Sequence, residues 1–441
     1  MNPTRRNVIK AVATMPFILP SRVWAAGTAP SDRLGVGFIG MGIQSRGLLR
    51  AFLNEDGVRV VAVCDVDTTR REAARARVDE FYQAAPASGL PGCGAYDDFR
   101  ELLARKDVDA VVIATPDHWH AIVTIAALRA GKDVYCEKPL THNIHEAVAV
   151  MKAVDANRRV LQTGSMQRSM KEFRVACELV RNGAIGKLER VSCSFGDPAV
   201  PCDLPEEPME FGLDWNQWLG PGPERGFSSV LSPRGLHEHF PDWRRYREFG
   251  GGMVTDWGAH HLDIAQWGLG MDASGPVEVR PPEKADAVRG ATLVYASGVT
   301  VTHEDGFGVD FFGTEGRVQV NRGRFTFTRN GEKVAWFTRR EDGTSCEGQV
   351  AKAEREYLKD AKVRLYASAD HVGDFLARVK DRKKPITSEQ VGGRSAICCH
   401  LMNQSYFHHA RLRWNPETFA FADGTGHPDW LTREYRAPWK V

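Results

Sequence analysis

The chain has 441 residues, 42% of them hydrophobic, which is enough for a large core and two domains. Its 58 Lys and Arg against 56 Asp and Glu leave a formal charge of +2. No run of one sign is long enough for a nucleic-acid face or a basic membrane patch, so a mixed-charge, soluble surface is expected.

The first residues are less ordinary. "TRRNVIK" (Thr4 to Lys10) precedes an apolar run, Ala11 to Pro20, and then "SRVWAAG", with Val23 and Ala25 in the small-residue positions of a cleavage site. The run is too short for a permanent membrane span. Arg5 and Arg6, in an S/T-R-R-x-x-x-K frame, resemble a twin-arginine export signal, with Val8 where phenylalanine is usual. Residues 1–25 are therefore expected to be a signal peptide, with the twin-arginine export machinery as partner and a periplasmic or otherwise exported bacterial address. A plain secretory signal or an unstructured start is the alternative. The nine cysteines are odd in number and include no C-x-x-C pair, which indicates neither a zinc site nor a disulfide framework. Scattered core thiols suit a protein that folds in a reducing compartment before export.

From Leu34 the pattern alternates. "LGVGFIG" predicts a buried strand, "MGIQSRGLLRAFLN" a helix, "VRVVAVCD" a second strand and "TTRREAARARVDEFYQAA" a charged amphipathic helix. "DVDAVVIATP" is a further strand, "HAIVTIAALRAG" a helix, and "KDVYCEKP" another strand. Strands alternating with helices over short links predict an α/β domain with a doubly wound parallel sheet.

In "GFIGMGIQSRG" the first strand ends at Gly40 and Gly42, where a helix opens. The first glycine permits a tight turn and the second lets backbone approach a pyrophosphate at the helix N-terminus. Ser45 takes the third position of the G-x-G-x-x-G pattern, with Gly47 just beyond. Asp65 closes the next strand, where an acid meets a ribose hydroxyl pair and repels a ribose phosphate, so NAD is favoured over NADP. Ligands in such sheets lie at the carboxyl ends of the strands. The expected cofactor contacts are Gly40, Gly42, Ile43, Asp65, Thr115, Pro116, His120, Glu137 and Lys138, with Asp117 on the same rim. Pro139 restricts the strand exit and biases Lys138 to an extended conformation, consistent with a positioned side chain.

"GGGMVTDWGAHHLDIAQWGL" (Gly250 to Leu269) predicts a mostly buried helix with Asp256, His260 and Asp263 on one stripe. Buried ionisable groups are costly unless paired or used. A carboxylate and an imidazole one turn apart suit a general base; a satisfied core network is the alternative. His261 lies off the stripe, as expected for a structural residue. Neither "HEH" (His237 to His239) nor the His260–His261 pair has the i, i+4 double histidine of a helical zinc site, so no metal is assigned.

The set "GFIGMGIQSRG", "CDVD", "ATPDHWH", "CEKP" and "TDWGAHHLD" resembles the glucose–fructose oxidoreductase / inositol dehydrogenase / MocA (Gfo/Idh/MocA) family of NAD(P)-dependent sugar and polyol oxidoreductases. "DWNQWLGPGP" and "FPDWRRYREFGGG" resemble its exported subgroup. "ELVRNGAIGKLERV" resembles the lead into the family's second domain, and "ITSEQVGGRSAICCHLMNQSY" its returning C-terminal helix. The resemblance implies a Rossmann domain over 32–165 and, over 166–441, an α+β domain with an open, largely antiparallel sheet that often forms the oligomer interface, so a homodimer or homotetramer is expected. It implies that Lys138 hydrogen-bonds the reacting oxygen, that Lys138–Pro139 is cis, and that His260 accepts the proton while Asp256 orients it and the substrate. From "TGSMQRS" it makes Gln167 a cofactor contact and Arg168 a substrate contact. Asp117 stands where many relatives have asparagine. The aromatic-rich stretch with Trp215, Trp218, Trp243 and Tyr246 can stack on a sugar or simply pack; Trp243 is the expected substrate contact, with Lys138, Arg168, Asp256 and His260.

The implied reaction is hydride transfer between a carbinol carbon of a sugar, polyol or glycoside and a nicotinamide. Export implies a non-dissociating NAD, because free NAD is scarce outside the cytoplasm. Two rivals are weighed. A redox-neutral glycoside hydrolase or epimerase acts through a transient keto-sugar, but the family's acetylgalactosaminidases lack the E-K-P present here. A non-catalytic sugar-binding protein would have no use for Lys138, Asp256 and His260 together.

Overall fold

The computed structural model describes residues 33–83 and 92–441. The expected export signal, residues 1–25, lies outside the described residues.

β1 (Leu34–Ile39) and α1 (Ile43–Leu53) are followed by β2 (Val58–Cys64), α2 (Thr68–Gln83), β3 (Gly94–Tyr96) and α3 (Phe99–Leu103). Then come β4 (Ala110–Ile113), α4 (Asp117–Arg129), β5 (Asp133–Cys136), α5 (Ile144–Asn157) and β6 (Leu161–Thr163). Every residue of β4 and β5 is buried, as expected of strands covered on both faces. The six strands pair in parallel in the order β3-β2-β1-β4-β5-β6. Strand order reverses between β1 and β4, which opens a crevice at their carboxyl ends.

A second sheet begins after α6 (Lys171–Arg181) with β7 (Leu188–Cys193). A long loop, interrupted by α7 (Trp215–Leu219), leads to α8 (Met253–Asp256) and α9 (Gly258–Leu269). β8 (Glu278–Arg280), β9 (Thr292–Val294), β10 (Thr300–His303), β11 (Val309–Gly313), β12 (Gly316–Asn321), β13 (Arg324–Arg329) and β14 (Glu332–Phe337) follow. After α10 (Cys346–Tyr357), α11 (His371–Asp381) and α12 (Glu389–His408), β15 (Leu412–Asn415) and β16 (Ala420–Ala422) complete it. Its ten strands run β14-β13-β12-β11-β7-β10-β9-β8-β15-β16, and only the β7–β10 pair is parallel. Alternating burial along β10 and β12 gives one core-facing side. Residues of α6, α9 and α12 share a core with that side.

Segments from beyond residue 165 also pack on the first sheet. Phe375 of α11 sits on the first sheet, 6.2 Å from the ring of Phe52 and 5.8 Å from that of Tyr135. The C-terminal tail returns there too: Trp439 meets Trp119 edge-on at 4.7 Å, and Arg433 pairs with buried Glu146 at 2.8 Å. All nine cysteines are free thiols, seven of them buried. No helix among the described residues is long and apolar enough to cross a membrane.

Candidate active site

The turn after β1 is shaped for close approach. Gly40 has φ +85°, and a Cβ there would lie 2.7–2.8 Å from the Ala114 and Thr115 backbone. Gly42 caps α1 without a side-chain hydrogen bond, and the space where its Cβ would be is open. The first amides of α1 thus face an open cradle, the arrangement that receives a phosphate. Ile43, Asp65, Thr115 and Pro116 line the same cleft. Asp65 accepts from Met41 N at 2.6 Å and Asp67 N at 2.8 Å, so its carboxylate also braces the loop. Burial raises its pKa.

The long loop of residues 194–252 folds over this cleft. Asp67 pairs with Arg234 and accepts from Gly235 N, while Arg70 Nε donates to Gly235 O at 3.0 Å. Trp218, Leu231 and Ser232 of the loop form part of the cleft wall. His237 donates through Nδ1 to its neighbour's carbonyl, His239 O, and its other nitrogen accepts from Arg70.

A cavity of about 700 Å³ adjoins the cleft, and Gln44, Thr115, Trp243 and Arg244 line both. Lys138 leaves β5 through a cis Lys138–Pro139 bond and reaches across to α8, where Nζ donates to Asp256 Oδ1 and, at 3.0 Å, to Asp256 O. Glu137 accepts from Gln44 Nε2 at 3.0 Å and from Lys138 N at 3.2 Å. Asp117 and Glu137 are buried, and burial raises the pKa of both. His260, on the first turn of α9, lines the cavity with Asp256.

The expected Asp256–His260 couple is not what the helix presents. Asp256 is taken by Lys138, and His260 Nε2 instead accepts from Arg322 Nη2 at 3.0 Å. Nδ1 of His260 has no hydrogen-bond partner. Burial first, and then the charges of Lys138 and Arg322, push the imidazole well below its ordinary pKa. It is therefore neutral at physiological pH. Arg322 comes from the β12–β13 turn and stacks over Trp257 at 4.8 Å.

Other expected residues lie outside the cavity or turn away from it. Arg168 does not meet the cavity: it makes a buried two-pronged pair with Asp263, both contacts 2.8 Å, and reaches Asp272 at 2.7 Å. Asp263 is thereby drawn off the reactive stripe into this network, which Ser395 completes. Gln167 is fully buried and lines neither cleft nor cavity; its neighbour Met166 does. His120 lines the cavity, but Nδ1 lies 2.7 Å from Pro139 O and Nε2 2.9 Å from Thr115 O, so it braces backbone. Its pKa falls to about 4 through burial. Trp215 stacks on Trp218 at 4.7 Å and Tyr246 joins the same packed cluster, whereas Trp243 does face the cavity. His261 donates to or accepts no cavity group; its Nδ1 meets Ser194 O at 2.6 Å.

Gln44, Arg244 and Arg322 are among the lining residues that the sequence did not single out. Gln44 stands inside the glycine motif, a polar side chain in the first turn of a helix aimed at the strand ends, and was open to notice. Arg244 adjoins Trp243. Arg322 had no signal: a lone arginine in a hairpin turn looks solvated.

A glycine turn, a doubly wound sheet and a cleft at its carboxyl ends place the chain in the Rossmann class of dinucleotide-binding folds. Residues 34–165 match the Gfo/Idh/MocA model of an oxidoreductase family's NAD-binding Rossmann fold, and residues 200–321 match the C-terminal alpha/beta domain of that family. Together the matches span more than half of the chain, which belongs to the Gfo/Idh/MocA family. An inositol 2-dehydrogenase of Saccharopolyspora erythraea is 33% identical over 46% of this chain and 58% of its own length. A glycosyl hydrolase family 109 protein of Shewanella sp. strain ANA-3 is 31% identical over 41% of this chain and 39% of its own. The chain thus matches well under two thirds of the length of these relatives. The solved aldose-aldose oxidoreductase of Caulobacter crescentus shares the fold at TM-score 0.56 and 18% identity, over 86% of this chain and 99% of that one. An NAD binding oxidoreductase of Klebsiella pneumoniae does so at 0.58 and 20%, over 86% and 99%.

Proposed function

We propose that this protein transfers hydride between a carbinol carbon of a sugar, polyol or glycoside and a tightly held NAD. The observation that carries the reading is Lys138, fixed by Asp256, sharing one cavity with neutral His260 beside the glycine turn. The open cradle at Gly42 and the uncapped start of α1 fit a dinucleotide pyrophosphate, and Asp65 favours NAD over NADP. The bound nicotinamide would supply the hydride acceptor or donor.

The residues supply the rest. Lys138 donates to the reacting oxygen and stabilises the charge that grows on it as the hydride leaves carbon. Asp256 is a positioning residue that keeps the ammonium at the cavity wall. His260 takes the hydroxyl proton at Nε2 once the substrate displaces the Arg322 N–H from that lone pair. The resulting imidazolium, buried between Lys138 and Arg322, gives its proton up readily, which resets the site.

A redox-neutral cycle, oxidation followed by elimination or inversion and re-reduction, is the second reading. The likeness to glycosyl hydrolase family 109 proteins favours it, while the E-K-P motif favours the first. The N-terminal "TRRNVIK" motif supports twin-arginine export to the periplasm, and the loop clasp of Asp67 and Arg70 supports a cofactor that stays bound. Assembly as a homodimer or homotetramer is part of the proposal.

The test is bound-cofactor absorbance during sugar addition to purified protein, with Lys138→Ala and His260→Ala beside the parent. Each variant should retain nucleotide and lose at least about a hundredfold in the rate of cofactor reduction. Variants that reduce their cofactor as fast as the parent would end the assignment.

A further inference from the structure

The cavity that holds Lys138 also presents two arginines stacked on aromatic rings, Arg244 and Arg322. Lys138 is matched by Asp256, and Arg244 reaches that same carboxylate only at 3.9 Å. Arg322 has no carboxylate partner among the described residues; its hydrogen bond goes to a neutral imidazole. None of the other acids on the wall lies within ion-pair distance of Arg322. Asp197 pairs with Arg289 at 2.8 Å, and Asp242 lies 3.9 Å from Arg245. Glu137 is occupied by Gln44 and the Lys138 amide, and burial raises the pKa of both Glu137 and Asp117.

Both guanidiniums are also presented rigidly. Arg322 lies on Trp257 at 4.8 Å, and Arg244 lies on Trp243 at 4.2 Å and Phe240 at 4.9 Å. Stacking fixes the plane of a guanidinium while leaving its edge N–H groups free to donate, the geometry that suits a planar or tetrahedral oxyanion. A buried guanidinium without a carboxylate partner is costly to desolvate, and an anionic ligand answers that cost better than a neutral hydroxyl.

We propose that the substrate of this site is an anionic sugar, whose carboxylate or phosphate is received by Arg322 with Arg244 beside it. The proposal rests on the sugar-oxidoreductase reading and names its substrate class. It also accounts for the Arg322–His260 contact: an arriving anion draws the guanidinium off Nε2 and frees the lone pair for the hydroxyl proton. Recognition of the charged group and activation of the base are then one event.

The experiment titrates glucose, glucuronate and glucose 6-phosphate into the purified protein and follows intrinsic tryptophan fluorescence, reported by Trp257 and Trp243 beneath the two arginines. At least one charged sugar should bind about tenfold or more tighter than glucose. The stronger of the two identifies the anion as carboxylate or phosphate. Arg322→Gln should bring the affinity ratio close to one, while Arg322→Lys, which keeps the charge, should retain part of the preference. Equal affinity for all three sugars, no saturable quenching by any, or a preference unchanged in Arg322→Gln would overturn the proposal. Cofactor absorbance recorded in the same titration separates this outcome from the reading beneath it. Charged-sugar binding without any cofactor reduction would defeat the oxidoreductase assignment alone, and cofactor reduction with no charge preference would defeat only the anionic substrate.

Discussion

His260 concentrates what is particular to this site. Its ring is neutral because burial and two flanking cations oppose protonation, so it stays a competent acceptor well into acidic solution. The acid limb of the pH profile for cofactor reduction should therefore lie below the ordinary histidine range. Arg322→Gln removes one of those cations, which raises the folded-state pKa and moves the acid limb to higher pH. A limb that stays in place, or moves down, would mean that Arg322 does not face the base. At this scale the sequence was generous for Lys138, Asp256 and His260, because strand ends and helix periodicity are local signals. It was silent on who bonds whom. One helical turn joins Asp256 to His260 in sequence, yet Lys138, arriving from another strand, wins the carboxylate because a charged pair is stronger than a neutral one. Arg168 shows the same limit: the likeness of "TGSMQRS" to a strand end made it a candidate contact, and only the fold reveals Asp263 and Asp272 beside it.

Elements set these positions, and two of them can be tested directly. The β1–α1 turn depends on Gly40. Alanine there meets Ala114 and Thr115 backbone and must hold a left-handed φ, at a cost of about 1–3 kcal/mol before the clash is counted. Gly40→Ala should lower the melting temperature and empty the protein of nucleotide; full nucleotide content would show that the turn is not the cradle. The second element is the anchor between α9 and the turn before α6. Arg168→Leu leaves Asp263 buried without its partner, so a loss of about 3–5 kcal/mol in unfolding free energy is expected. A denaturation midpoint unchanged from the parent would contradict that structural role. The apolar runs of β1, β2, β4 and β5 were legible because parallel strands covered on both faces lack alternation. β3 was not, since its three residues, Gly94–Tyr96, are all half-buried and too few to carry a pattern. α4 begins at Asp117, a turn earlier than "HAIVTIAALRAG" suggested, because Pro116 serves as its cap.

Over the whole molecule the two sheets are tied by segments that no local pattern foretells. α11 and the tail around Arg433 and Trp439 leave the second half of the chain to cover the first sheet. The long loop closes over the cofactor cleft from the other side through Asp67 and Arg70. This clasp supports the proposed export, under which the protein would carry its NAD with it. The most direct measurement is to purify the protein without added nucleotide, unfold it, and identify what is released. Close to one NAD or NADH per chain is expected. A protein that releases no dinucleotide, and binds none when NAD or NADP is supplied, would contradict it.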